Sequence, residues 1–275
     1  MLRPRGSKHL ARALLPALLF VAAVGWTTSG CFLVGEAVET GVESASAAAG
    51  EEVGEAIGKQ LAPAVQLPAY GSAQWNRFMV SQAQVLFSYA FSAGGMWPGQ
   101  ATYAPGEWAE YRLRASGDNS AALDTLERAF LKETSDGNEW WRVRGIQGGQ
   151  PWIYEALVSP ERQEVLRLRA KDPEGNVGEV PVTEGTVYQP PQRLTEESIE
   201  GATTGTTTLD TPAGEFSARR VEYQGAAAGG TVTWFLAEDV PGDVVRYRVR
   251  GSGGSSWTST LIAYGDDATT QLDSY

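Results

Sequence analysis

The chain has 275 residues, of which 42% are apolar, enough to build a hydrophobic core. It carries 22 Lys and Arg against 33 Asp and Glu, a formal net charge of −11, which argues against a nucleic-acid-binding protein because that class needs a basic surface. One Cys and one His exclude a disulfide framework and a zinc site of the Cys/His kind. Thirty-two Gly, nine Trp and ten Tyr favour β structure with many turns.

The first 30 residues have the layout of a secretory signal peptide. Residues 1–12 contain four basic residues and no acidic one, residues 13–26 are apolar, and small residues follow up to Gly30. The apolar stretch is shorter than the roughly 20 residues that a transmembrane helix needs. The sequence therefore predicts that residues 1–30 are removed by cleavage between Gly30 and Cys31.

The only cysteine of the chain directly follows this segment. The run Ser29-Gly30-Cys31 resembles the lipobox of bacterial lipoproteins. The resemblance implies a diacylglycerol thioether on the Cys31 sulfur and a further acyl chain, such as palmitate, on the new amino group. It predicts a lipid-anchored protein of the cell envelope, and Phe32 at the next position leans, by resemblance to enterobacterial sorting, towards the outer membrane of a Gram-negative bacterium. The alternative is a plain secretory signal followed by an unrelated cysteine.

Processing changes the inventory of chemical groups. Removal of residues 1–30 takes away His9, the only histidine, so the mature chain has no triad containing His and no His-ligated metal. We expect a protein that is not an enzyme and holds no cofactor or metal. Acid-only glycoside hydrolysis remains a minor alternative, because two carboxylates suffice for it. The candidate pairs are Glu196-Glu197, Glu238-Asp239 and Asp266-Asp267.

Residues 31–70 form an acidic segment rich in Ala, Gly, Glu and Val, with Lys59 as its only basic residue. Gly50, Gly54 and Gly58 recur at every fourth position, which on a helix would make a stripe of small residues able to pack against another helix. Each glycine costs a helix about 1 kcal/mol relative to Ala. We therefore favour a flexible tether between the lipid anchor and the domain.

Residues 72–93 follow the helical pattern of apolar positions at i, i+3, i+4 and i+7. Ser72 is the predicted N-cap, and Gly94-Gly95 would end the helix. We predict an amphipathic helix that covers one side of a sheet. Its predicted inward residues are Trp75, Phe78, Met79, Gln82, Val85, Leu86 and Tyr89.

From residue 106 onwards the pattern has a period of two, which is typical of half-buried strands. It is clearest over 107–115, 163–170 and 243–250. Residues 121–128 are ambiguous between a strand and one or two turns of helix. Turn sequences rich in Gly, Pro, Asp and Asn separate the predicted strands. The predicted fold is mainly β, a curved antiparallel sheet forming a half-barrel of two β-meanders with one covering helix.

Residues 140–170 and 219–250 share one layout. Each contains a strand, a Gly-rich hairpin, an aromatic strand, a Pro-containing turn and a strand of alternating arginines. This indicates an internal repeat, although two unrelated meanders would look the same, and Pro190-Pro191 marks the seam between the copies. We predict a single β-rich domain over 71–270. Its meander halves are expected at about 106–188 and 194–265.

The second copy and its lead-in carry a more specific pattern. The run Thr211-Pro212-Ala213-Gly214-Glu215-Phe216 is followed by Thr233-Trp234-Phe235 and then by Pro241-Gly242. This segment resembles the bacterial envelope proteins of the DUF3108 kind. The resemblance implies a curved sheet like the half-barrels of envelope lipoprotein-carrier proteins, which wrap around acyl chains. It implies no catalytic residue.

Large aromatic residues fall on the apolar faces of the predicted strands. Concave sites lined by aromatic side chains bind apolar ligands, so we predict a groove between sheet and helix that binds a lipid or another apolar ligand. The alternative is that these residues fill a closed core. The candidate ligand-binding residues are Tyr111, Trp141, Trp152, Tyr154, Trp234 and Tyr247.

Nine arginines occupy alternate positions of the predicted strands. They are Arg112, Arg114, Arg142, Arg144, Arg167, Arg169, Arg246, Arg248 and Arg250. One interpretation is a basic face that binds phosphate or sugar acids. We favour a solvated face on which they pair with abundant acids, namely Glu107, Glu110, Glu139, Glu155 and Glu164. The arginines and the glycine stripe also leave open a structural lipoprotein that docks another envelope protein.

Overall fold

The computed structural model describes residues 67–92, 103–116, 123–183, 194–224, 230–251, 254 and 256–275. They belong to one compact unit and form two helices and eleven strands. The helices are α1 (Ala73–Ser92) and α2 (Glu196–Ala202). The strands are β1 (Trp108–Ser116), β2 (Thr125–Glu133), β3 (Glu139–Gln147), β4 (Gln150–Ser159), β5 (Glu164–Lys171), β6 (Val177–Val180), β7 (Thr203–Thr211), β8 (Gly214–Gln224), β9 (Thr231–Leu236), β10 (Val244–Arg250) and β11 (Ser256–Gly265).

All eleven strands form one antiparallel sheet in the order β6-β5-β4-β3-β2-β1-β11-β10-β9-β8-β7. The first half, β1 to β6, and the second half, β7 to β11, meet where β1 pairs with β11. The sheet is curved and does not close, which confirms the predicted fold class. Several early expectations fall outside the described residues: Cys31 and its cleavage site, the tether up to residue 66, the Gly94-Gly95 helix end and the Pro190-Pro191 seam.

Alternation of apolar and polar residues builds the strands as predicted. In β1, Ala109, Tyr111 and Leu113 are buried while the residues between them are more exposed. The ambiguous stretch 121–128 contributes to a strand, β2, which pairs with β1 on one side and β3 on the other. The two segments of shared layout both become three-stranded meanders, β3-β4-β5 and β8-β9-β10.

Helix α1 begins at the predicted N-cap, because the Ser72 hydroxyl oxygen accepts a hydrogen bond from the Trp75 backbone N–H at 3.0 Å. The helix packs on β2, β3 and β6, and the face of the sheet that it covers is called the inner face below. Trp75, Met79 and Leu86 are among its fully buried residues. The predicted amphipathic covering helix is thus confirmed, with its apolar face turned to the sheet.

The start of α1 is tied to the turn between β5 and β6. The Trp75 indole N–H donates to the buried Asp172 carboxylate at 3.0 Å, and the same carboxylate accepts from the Asn176 backbone N–H at 3.0 Å. The Tyr70 hydroxyl donates to the Val177 carbonyl at 2.7 Å. These contacts fix the helix across the first half of the sheet.

Candidate functional site

Three of the predicted ligand-binding residues lie beneath α1 in the first half. Trp152 packs against Phe78 with ring centroids 5.8 Å apart, and Trp141 meets Phe91 edge-on at 4.9 Å. Tyr154 is fully buried. Trp141, Trp152 and Tyr154 therefore fill the core between sheet and helix, as the closed-core alternative expects of them.

The other three occupy the inner face nearer the second half. Trp234 and Tyr247 are cross-strand neighbours on β9 and β10, with ring centroids 5.4 Å apart. Tyr247 also meets Trp257 of β11 at 5.3 Å. Tyr111 on β1 donates its hydroxyl hydrogen to the Val244 carbonyl at 3.0 Å. The structure thus divides the six predicted residues between a helix-covered group and a group around Tyr247.

A row of apolar side chains crosses the inner face beside Tyr247. Tyr223, Val232, Val249 and Trp257 are directly opposite one another on β8, β9, β10 and β11. Val232 is buried, whereas the other three are only half-buried. This inner row adjoins α1 at one point, where the Tyr89 and Trp257 rings lie 6.2 Å apart.

The Tyr247 hydroxyl is buried and has no hydrogen-bond partner among the described residues. Burial raises the pKa of Tyr247 well above its usual range, so the hydroxyl keeps its proton at neutral pH. On the facing helix, the Gln82 side-chain oxygen is also buried without a partner. A buried polar atom left unpaired costs about 1–3 kcal/mol, so each of these two atoms has an unused capacity for a ligand or a water molecule.

Arg128 is a charged residue of the inner face that the sequence patterns did not single out. It is buried on β2, and its guanidinium donates to the Tyr103 hydroxyl at 2.5 Å, the Tyr111 hydroxyl at 3.2 Å and the Ala90 carbonyl at 2.8 Å. Ala90 lies in the last turn of α1, where carbonyls lack helical partners and a cation is favourable. Burial raises the pKa of Tyr103, so its hydroxyl stays neutral beside the arginine. Arg128 joins the end of the helix to the sheet.

The outer face of the first half is covered by the C-terminal segment 266–275. Glu155 is fully buried there and accepts hydrogen bonds from the Thr270 hydroxyl, the Gln271 N–H and the Ser274 hydroxyl at 2.6, 2.6 and 2.5 Å. Arg167 and Arg169 donate to the carbonyls of Ser274 and Asp273 at 2.8 and 2.6 Å. This segment extends past residue 270, the predicted end of the domain.

The predicted arginines of β3 and β5 pair with acids, though not mainly with the predicted ones. Arg142 pairs with Glu127 at 2.9 Å, and Arg144 reaches both Glu127 at 3.0 Å and the predicted Glu110 at 3.3 Å. Arg167 pairs with Glu179 at 2.7 Å. The other predicted acids have other partners. Glu107 accepts a hydrogen bond from the Ala104 N–H, and Glu139 accepts one from the Trp141 indole. Glu155 binds the C-terminal segment, and Glu164 pairs with Arg162.

The three adjacent acid pairs lie in three different places. Glu196-Glu197 form the first turn of α2, Glu238-Asp239 lie between β9 and β10, and Asp266-Asp267 follow β11. Glu196 bonds Arg219 at 2.5 Å, and Asp267 accepts from the Trp108 indole at 2.8 Å.

Within the described part of the chain, no group of three or more His, Cys, Asp or Glu could hold a metal ion. No helix of that part is both long and apolar enough to cross a membrane.

Comparisons with family models and with curated proteins find no match for the chain. The resemblance of its second copy to the DUF3108 kind of protein therefore stays a prediction.

Solved structures give weak similarities. An exported protein with a YmcC-like fold from Bacteroides fragilis is 13% identical, with a TM-score of 0.32 over 60% of this chain and 99% of its own. MucB is 12% identical, with a TM-score of 0.35 over 74% of this chain and 64% of its own. A lipoprotein from Parabacteroides distasonis is 8% identical, with a TM-score of 0.29 over 61% of this chain and 99% of its own. With TM-scores below 0.5, these similarities assign no function to this chain.

Proposed function

We propose that the chain is a lipid-anchored, non-enzymatic protein of the bacterial cell envelope whose domain binds an apolar ligand on the inner face of its second half. The anchor rests on the lipobox-like Cys31 and on the signal-like residues 1–30. The absence of catalysis rests on the lack of His from residues 31–275. The observation that carries the binding role is the inner row formed by Tyr223, Val232, Val249 and Trp257.

The inner row lies on strands other than those on which α1 mainly packs, and the described helices meet it at its ends, where the Tyr223 hydroxyl donates to the Ser198 carbonyl of α2 and Trp257 meets Tyr89 of α1. Helix α1 packs on β2, β3 and β6, whereas α2 has only seven residues and packs on β8. A row of half-buried apolar side chains continuous with the core offers area that water solvates poorly. An acyl chain laid along this row would remove apolar surface from water, at about 25 cal/mol per Å².

The Tyr247 hydroxyl, next to the inner row, indicates that the ligand also has a polar group. Tyr247 is cross-strand neighbour to Trp234 and adjoins Trp257, so its hydroxyl lies in the same cluster as the row. Because it stays protonated and has no partner among the described residues, it offers a hydrogen-bond donor to a ligand. The ligand class that fits both features is an amphiphile with a long hydrocarbon chain and a carbonyl or carboxylate oxygen. This describes a fatty acid, a lipid or the acyl chain of another lipoprotein.

Photo-crosslinking of a fatty acid tests this proposal. The purified full chain in proteoliposomes would be irradiated with diazirine-labelled palmitic acid, and the labelled peptides identified by mass spectrometry. We expect label on peptides from β10 and β11, and Trp257→Ala should lower this labelling about tenfold through loss of a large apolar contact. Tyr247→Phe should weaken labelling by palmitic acid while leaving labelling by a diazirine alkane unchanged.

Trp108→Ala is the matched control, because Trp108 is also half-buried but packs with the outer cluster around Trp140. It should leave labelling unchanged, and circular dichroism should establish that all variants are folded. Label confined to residues 31–66, or equal losses in Trp257→Ala and Trp108→Ala, would contradict a binding site on the inner face.

A further inference from the structure

The outer face of β1 and β10, on either side of β11, carries arginines that pair with no acid among the described residues. Arg112 and Arg114 lie on β1, and Arg248 and Arg250 on β10. Among the described residues, none of these four makes an ion pair or a hydrogen bond to a carboxylate. The arginines of β3 and β5 differ, because Arg142, Arg144, Arg167 and Arg169 bind acids or the C-terminal segment.

Strand register aligns these arginines into two columns. Thr260 of β11 is opposite Arg112 on one side and Arg246 on the other, and Thr258 is opposite Arg114 and Arg248 in the same way. The columns therefore lie two strand spacings apart, about 10 Å, and neighbours within a column are about 6.6 Å apart. Between them runs the hydroxyl column of β11. It consists of Ser256, Thr258 and Thr260.

Within the part of the chain that the structure describes, the acids nearest these columns are engaged by other residues. The nearest acid on β1, Glu110, accepts from Thr125 at 3.0 Å and pairs with Arg144 at 3.3 Å. On β8, Glu222 pairs with Arg220. Partial burial, followed by the charges of Arg250, Arg246 and Arg220, lowers the pKa of Arg248. Arg246 precedes Arg248 on the same face of β10, and its guanidinium donates a 3.4 Å hydrogen bond to the Asp210 carbonyl.

In a chain with 33 acidic residues, a cluster of like charges left without acids destabilises the fold. A local loss of stability that no structural contact offsets is typical of binding sites. The guanidinium group is planar and presents paired donors that match carboxylate and phosphate groups. Hydroxyls between the columns add donors and acceptors for a polar ligand.

We propose that the two arginine columns bind a linear anionic glycan, laid along β11, through its carboxylate or phosphate groups. A chain in this position is within reach of arginines on both sides, and the repeat within each column suits a ligand with repeated charges. The strongly negative protein as a whole disfavours close contact with an anionic bilayer. The site is therefore a narrow track across three strands, β1, β11 and β10, rather than a membrane-facing surface.

Binding of defined polymers to the full chain tests this proposal. Polygalacturonate supplies repeated carboxylates, polyphosphate supplies repeated phosphates, and dextran is the neutral control. At low salt we expect one or both anionic polymers to bind and dextran not to bind. The double variant Arg114→Gln with Arg248→Gln should weaken binding at least tenfold and flatten its salt dependence, because fewer counterions are displaced.

The matched control is Arg77→Gln with Arg162→Gln, which removes the same charge from exposed positions outside the columns. It should change affinity less than twofold. The variant Arg114→Lys with Arg248→Lys keeps the charge, and it should bind more weakly than the native chain because lysine lacks the paired donors.

Three results would overturn the proposal. They are the absence of binding to both anionic polymers at low salt, equal losses in the two glutamine double variants, and binding to phosphatidylglycerol vesicles without binding to either polymer. Thermal unfolding should establish that the variants are folded. We expect the midpoint of unfolding to stay unchanged or to rise, because the substitutions remove like charges.

Discussion

At the scale of single residues, buried polar groups join distant parts of the chain. Asp172 holds the start of α1, Arg128 holds its end, and Glu155 holds the C-terminal segment. Buried charges are tolerated when hydrogen bonds satisfy them, and each of these groups makes at least two. Glu155 also lies directly opposite Arg142 and Arg169 on the neighbouring strands, which places positive charge on both sides of it.

We expect Glu155→Gln to loosen the C-terminal segment. The amide has one acceptor oxygen, so at least one of the three donors from Thr270, Gln271 and Ser274 loses its partner, at a cost of about 1–3 kcal/mol. Urea denaturation should give a lower free energy of unfolding, and hydrogen exchange should rise first in residues 268–275. Glu133→Gln is the control, since Glu133 is exposed on β2, two strands away from Glu155. An unchanged exchange rate in the segment would show that Glu155 does not hold it.

At the scale of elements, the contact between α1 and β3 depends on a missing side chain. A Cβ atom built on Gly145 would lie 2.9 Å from a methyl carbon of Leu86 and 3.2 Å from one of Leu123. Both distances are shorter than ordinary carbon contacts, so the helix lies as close to the strand as glycine permits. Gly145 is therefore a packing position rather than a turn position.

Gly145→Val should push α1 away from the sheet. We expect a loss of about 1–3 kcal/mol in the free energy of unfolding, because overpacking forces neighbours out of their rotamers. Gly145→Ala should cost less, since the ends of the leucine side chains can move. In a Leu86→Ala background the penalty of the valine should shrink, and a double-mutant cycle measures this coupling. Strict additivity of the two changes would refute the close contact.

At the scale of the whole molecule, one continuous sheet presents four different surfaces. Its inner face is covered by α1 in the first half and carries the inner row in the second. Its outer face is covered by the C-terminal segment over β4 and β5, where charges are paired, and carries the arginine columns on β1 and β10. The proposed apolar ligand and the proposed glycan would thus occupy opposite faces of the same strands, β10 and β11.

Tyrosines of the inner face and of the helix that covers it make the fold sensitive to alkali. Burial raises the pKa of Tyr89 to about 12 and also raises those of Tyr154 and Tyr247 well above the usual range, whereas an unfolded tyrosine titrates near pH 10. The folded pKa values are raised, so this stabilisation is complete below about pH 10 and is lost as the pH rises through the folded values. Absorbance of tyrosinate near 295 nm and far-UV circular dichroism should therefore change together.

The variant Tyr89→Phe should make the free energy of unfolding fall less steeply above about pH 10, because one of the coupled ionisations is gone. Ionisation of most tyrosines before any loss of circular dichroism would contradict this account of the inner face.

Much of the fold followed from the sequence because periodicity reports burial directly. The predicted helix 72–93 is α1 (Ala73–Ser92), and the three clearest alternating stretches became β1, β5 and β10. The stretch 121–128 could not be assigned from the sequence because β2 has polar and apolar residues on both faces. Glu127 is buried on the outer face, and Arg128 is buried on the inner face. Such a strand has no clean period, and only pairing with β1 and β3 settles its state.

The sequence by itself determined the class of the molecule: an acidic chain with one amphipathic helix, alternating strands in two similar meanders, and inward aromatic residues. Local patterns suffice for this because each residue's preference acts within a few positions of the chain. The tertiary structure decided which aromatic residues α1 covers, which arginines find acids and where residues 266–275 lie. Those outcomes depend on strand order, which brings β1 beside β11 and Glu155 beside Thr270 across more than a hundred residues. No local pattern records such distant pairings, so the inner row and the arginine columns emerge only from the folded sheet.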